Sequence, residues 1–124
     1  MTTEGQKKRV LLVDDNRDTV SVLAILLQRL GYEVHVAHDG PSAIAEARSA
    51  MPHAALLDIG LPGMSGYDVA QELRRNGQLE SCVLIAMTGY GRQEDLDRSE
   101  QAGFRHHLIK PVRIDDVKQL LATL

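Results

Sequence analysis

Apolar runs of four to seven residues alternate along the chain with longer stretches of helical spacing, and the runs tend to end in a polar residue. The first run, "RVLLVD" (9–14), predicts a strand that closes on Asp14 and Asp15. A stretch over 18–30 follows, with Val22, Leu23, Leu26, Leu27 and Leu30 three to four apart, which predicts a helix. Asn16 or Asp18 suits its N-cap, and Gly31 suits its end. "YEVHVA" (32–37) alternates like a half-buried strand near an edge, and 41–51 reads as a second helix with Pro41 in its first turn. "HAALLDI" (53–59) is a third strand that carries Asp58 at its end. Turn residues follow, and Gly63 and Gly66 are expected to serve backbone turns ahead of a third helix over 65–76. "CVLIAMT" (82–88) ends in Thr88, a polar helix is expected over 93–102, "FRHHLIK" (104–110) ends in Lys110, and 114–124 is a last helix.

The pattern is (βα) repeated five times. Its connections are too short for anything but right-handed crossovers. Strands apolar throughout imply a parallel sheet with helices on both faces. The chain has 124 residues, enough for one domain with a full core. It reads as a short lead-in over 1–7 and one domain over 8–124, with no room for a second. The one cysteine, Cys82, lies inside an apolar run, so a buried structural thiol is expected rather than a disulfide. That fits a cytoplasmic protein. A net charge of −3, one Phe and no Trp give no nucleic-acid footprint. No stretch has the length and apolarity of a membrane span, and the first residues lack the apolar region of a signal peptide.

Asp14, Asp15, Asp58, Thr88 and Lys110 all fall at the C-terminal ends of strands. In an open parallel sheet those ends share one edge, where ligands bind. Three carboxylates against one ammonium leave a surplus of negative charge. An oxygen-rich site of that kind suits a hard divalent cation, Mg²⁺ above all. The three acids can supply oxygens directly or through water, and a carbonyl such as that of Gly60 can supply another. A carboxylate can accept a phosphoryl group if the three phosphoryl oxygens are neutralised. The metal, Lys110 and the Thr88 hydroxyl would cover one each, with Asp58, in the middle strand, as nucleophile.

Four segments, "LLVDDN" (11–16), "LLDIGLPGMSGYD" (56–68), "MTGYG" (87–91) and "LIKPV" (108–112), now carry a resemblance. In this order and at these strand ends, the chain resembles the receiver domain of two-component response regulators from Lys8 to Leu124. The resemblance implies a flavodoxin-like (βα)5 three-layer sandwich, a parallel five-stranded sheet of order 2-1-3-4-5. It implies that Asp58 takes a phosphoryl group from a phosphohistidine on a histidine kinase or a histidine phosphotransfer protein. Mg²⁺ would be bound through Asp15, Asp58 and the Gly60 carbonyl, with Asp14 joining through water. Lys110 would pair with the phosphoryl group and Thr88 would follow it. The peptide before Pro111 would be cis. The domain would phosphorylate and dephosphorylate itself without turning over a small substrate, and an unknown downstream protein would read its state. It would act alone as a shuttle or as one part of a larger protein, and "TGYG" to "HHLIKPV" looks most like receivers of hybrid histidine kinases.

One position departs from the family pattern. Receivers commonly carry Tyr or Phe three residues before the Lys, and here that residue is His107. A ring that can carry charge would couple the state to pH; the plainer expectation is a surface His on an edge strand. Tyr90 is expected either to lie over the site mouth or to be an exposed loop residue. The alternative function is a pseudo-receiver, an interaction module without phosphoryl chemistry. An aspartyl phosphatase would want an acid two residues after the nucleophile, where Gly60 stands, and a flavodoxin-type phosphate loop would not read "DDNRD".

Overall fold

The computed structural model describes residues 7–75, 77, 79–89, 97–98 and 100–124. Its elements are β1(Arg9–Val13), α1(Arg17–Arg29), β2(Glu33–Ala37), α2(Gly40–Ala50), β3(Ala54–Asp58), α3(Gly66–Arg75), β4(Val83–Thr88), β5(His106–Ile109) and α4(Ile114–Leu121). All strand pairs are parallel, in the order β2-β1-β3-β4-β5. This is the expected flavodoxin-like order, with β2 at an edge. The helix expected over 93–102 falls mostly on residues outside those described, and 97, 98, 100 and 101 are helical.

The period-2 alternation of strands sorts side chains into two cores. Leu11 and Val13 face one core with Leu57, Leu84, Val69 and Phe104. Val10 and Leu12 face the other with Leu56, Ile85, Val20, Leu27 and Val117. Strands covered on both faces need no polar side, which is why β1 is apolar from Val10 to Val13 and β3 from Ala54 to Leu57. Burying each large apolar side chain contributes about 1.5–3 kcal/mol.

Local signals set the helix ends. Asn16 Oδ1 accepts from Thr19 N–H at 3.1 Å and caps α1, so Asn16 rather than Asp18 is the cap. Asp39 does the same for α2 through Ser42 N–H at 2.8 Å. Gly31 follows α1 with φ +98°, a conformation that costs a glycine little. α1 buries Val20, Leu23 and Leu27 but leaves Val22 60% and Ile25 50% exposed. The expected apolar face is therefore split: Leu23 and Leu27 face the core, whereas Val22 and Leu30 do not.

Arg74 ties the end of α3 to the entrance of β4. Its guanidinium donates to the carbonyls of Leu79, Glu80 and Cys82 at 2.5, 3.0 and 2.9 Å. Cys82 is buried as expected, and burial pushes its thiol up to about 11. No helix among the described residues is long and apolar enough to cross a membrane.

Candidate functional site

The strand ends converge as the polarity pattern implies. Asp58 is the last residue of β3 and Thr88 the last of β4, while Asp14 and Lys110 each follow their strands by one position. Backbone bonds continue the ladder through them: Asp14 N–H donates to Ala37 C=O at 3.3 Å, and Lys110 N–H donates to Thr88 C=O at 2.7 Å. The second bond fastens the lysine to the hydroxyl residue on the neighbouring strand. Lys110–Pro111 is cis, as the resemblance implies.

Lys110 Nζ lies 3.0 Å from Asp14 Oδ2 and 3.0 Å from Asp58 Oδ1. Asp14 and Asp58 are almost fully buried, as is Thr88, and Asp15 is exposed. Carboxylate oxygens of Asp14, Asp15 and Asp58 all lie within 4.8 Å of one another. One ammonium against three carboxylates leaves two negative charges uncompensated among them. Asp14 Oδ1 also accepts from Asn16 N–H, and Asp58 Oδ1 from Gly60 N–H, each at 3.0 Å. Both bonds to Asp58 fall on Oδ1, so Oδ2 carries neither. Asp15, Asp58, Gly60, Thr88 and Lys110 line one open cleft.

Burial and neighbours push the two buried acids apart. Burial raises the Asp14 carboxyl, but the Asn16 N–H and Lys110 outweigh it and hold it below its ordinary value. Burial raises Asp58 as well, and Asp14 repulsion adds to it. The Gly60 N–H and Lys110 do not fully offset these, so Asp58 stays above its ordinary value. Burial opposes the charge on Lys110, and its bonds to Asp14 and Asp58 raise it nonetheless. The chemistry of the donors fits a hard cation: all oxygen, two buried, and short of positive charge.

Gly66 has a different reason from the expected turn. A Cβ there would lie 2.5 Å from the Asp58 carbonyl oxygen and 2.9 Å from Ile59 Cα, so a bare Cα is needed for α3 to start against the backbone of Asp58. Gly63 does serve a turn, with φ +78°. Ser65 and Asp68 cap α3 reciprocally: Ser65 N–H donates to Asp68 Oδ2 at 3.2 Å and Asp68 N–H donates to Ser65 Oγ at 3.3 Å.

His107 is not a simple surface residue. It pairs with Ala86 in the β4–β5 ladder, is half-buried, and its Nε2 is buried without a hydrogen-bond partner among the described residues. Tyr90 lies outside the described residues. Among the cleft residues that the sequence did not assign to the site, Arg98 carries a charge. It lines the cleft together with Asp58, Thr88 and Lys110, and its Cζ sits 4.2 Å from the centroid of the Tyr67 ring.

Comparison with known proteins places this geometry. A family model described as the response regulator receiver domain matches residues 10–122. The chain is 30% identical to the protein PilH of Pseudomonas aeruginosa over 116 residues, 94% of this chain and 93% of PilH. It is 35% identical to the response regulator PleD of Caulobacter vibrioides over 109 residues, 88% of this chain but 24% of PleD. The structure of the chemotaxis protein CheY4 of Vibrio cholerae is similar with a TM-score of 0.90 at 26% identity, covering 94% of this chain and 98% of CheY4.

Proposed function

Because the chain belongs to the response regulator receiver domain family, we propose that Asp58 is its phosphoacceptor and that the phosphoryl group comes from a phosphohistidine on a histidine kinase or histidine phosphotransfer protein. The observation that carries this reading is the state of Asp58. It is buried, held through Oδ1 by Lys110 and Gly60, and keeps Oδ2 clear of both bonds. Oδ2 attacks phosphorus, the P–N bond breaks, and its electron pair returns to the imidazole, which takes a proton from solvent. Lys110 stabilises charge on one phosphoryl oxygen and the Thr88 hydroxyl bonds another. Asp14, Asp15, Asp58 and the Gly60 carbonyl would hold a Mg²⁺ ion, which would supply positive charge to offset that of the phosphoryl group and of the crowded acids. An ionised carboxylate needs no general base.

The exposed apolar side of α1, with Val22 and Ile25, receives the donor. A cleft of about 730 Å³ runs from this helix to Pro111 and Val112 and includes Asp14 and Lys110. A histidine-bearing helix lying there brings its phosphoryl group to the site. Phosphorylation adds charge at Asp58, Thr88 follows it, and the loop after β4 shifts. A downstream protein reads the face formed by β5, α4 and the helix ahead of β5. Cytoplasmic location is part of the same proposal.

Intact mass after incubation with acetyl phosphate and Mg²⁺ tests the reading. One added phosphoryl group in the wild type and none in Asp58→Asn is the expected result. A pseudo-receiver would show none in either protein, and a gain in both would put the acceptor elsewhere.

A further inference from the structure

Tyr67 is nearly buried, and its ring meets Phe104 edge to face, with centroids 6.3 Å apart at 79°. It also follows Gly66, whose Cα packs on the carbonyl of Asp58. The ring is therefore a fixed platform registered to the acceptor residue. The Arg98 guanidinium rests on this platform, 4.2 Å from the ring centroid, within the range of a cation–π contact. That contact uses the face of the ring and leaves the N–H donors of the guanidinium for an anion. Among the described residues, the cleft thus holds two cations that approach from different elements. Lys110 comes from the end of β5 and is engaged by Asp14 and Asp58. Arg98 comes from the helical residues ahead of β5 and is held on the α3 side.

We propose that Arg98 is a specificity-determining cation at the cleft mouth, which draws doubly charged phosphoryl donors toward Asp58 and favours them over singly charged ones. This rests on the phosphoacceptor reading above. The three carboxylates of the site repel any phosphoryl donor. A guanidinium fixed on an aromatic ring opposes that repulsion without spending flexibility. With the charges one physiological Debye length apart, about 8 Å, removing Arg98 lowers the loading rate of a dianion about fourfold in low salt and about twofold at physiological salt. For a monoanion in low salt the loss is about twofold.

The test measures loading of Asp58 by intact mass with acetyl phosphate, a dianion at neutral pH, and with phosphoramidate, a net monoanion. Wild type, Arg98→Gln and Arg98→Lys are compared with Mg²⁺ at two salt concentrations. We expect Arg98→Gln to load more slowly with both donors, more so with acetyl phosphate, and the deficit to shrink as salt rises. Arg98→Lys keeps the charge and restores most of the rate. Equal loading of wild type and Arg98→Gln overturns the inference but leaves the phosphoacceptor reading intact. So does a deficit that is the same for both donors and both salts, since that marks a structural defect. Failure of the wild type to load with either donor overturns the phosphoacceptor reading itself.

Discussion

Replacing Asp58 by Asn should stabilise the metal-free protein. The buried carboxylate is drawn to Lys110 at 3.0 Å by about 5.5 kcal/mol at an effective dielectric of about 20. The Asp14 carboxylate, with its oxygen within 4.8 Å, repels it by about 3.5 kcal/mol. Lys110 is 34% exposed, so solvent screens the attraction further. What remains of it does not cover the several kcal/mol that burial costs an ion. Asparagine fills the same space, can still accept from Gly60 N–H, and carries no charge. We expect a gain of about 1–2 kcal/mol at pH 7, or about 3–8 °C in Tm for a chain of this size. The sign follows from the raised Asp58 value: the folded state holds its proton more tightly than the unfolded chain does. The wild type is therefore penalised at neutral pH, and the penalty fades as pH falls through the raised value toward the ordinary 3.8. Thermal melts of both proteins in EDTA, from pH 7 downward, measure this. Addition of Mg²⁺ should stabilise the wild type more than the variant and narrow the gap. An Asp58→Asn protein with unchanged circular dichroism and equal or lower Tm in EDTA at pH 7 would refute the reasoning.

Gly66→Ala should cost about 1–3 kcal/mol in urea unfolding and slow acetyl phosphate labelling, because its Cβ would press on the Asp58 carbonyl. Met51 closes α2 at φ 49°, a left-handed position, so Met51→Gly should gain about 0.5–1 kcal/mol, read as a higher urea midpoint at constant slope. Cys82, with its thiol raised to about 11 by burial, should resist a thiol reagent in the native state at pH 8 and react once urea unfolds the chain; rapid native labelling would contradict its placement.

The residues that form the site were legible because each closes an apolar run. Packing gives the buried strands β3 and β4 no reason to end in Asp58 and Thr88, Lys110 closes the edge strand β5, and a parallel sheet brings such ends to one rim. What escaped depends on neighbours far along the chain. Gly66 looked like a turn glycine, yet its need is for closeness to Asp58. Arg98 fell within the polar helix expected over 93–102, and only the folded chain lays it over Tyr67. Val22 kept the spacing of α1 but sits on the wrong side of it, since helical spacing gives the width of an apolar face and not where the core stops. The edge position of β5 suggested an exposed His107, whereas its pairing with Ala86 turns the ring toward the larger core.

The sheet is a wall one strand thick between two separate apolar interiors, and Asp58 stands at its rim. Helices on one side can change their residues without repacking those on the other. A lineage can thus alter the surface that meets one partner while the opposite surface stays as it was, and the acidic rim between them need not change at all.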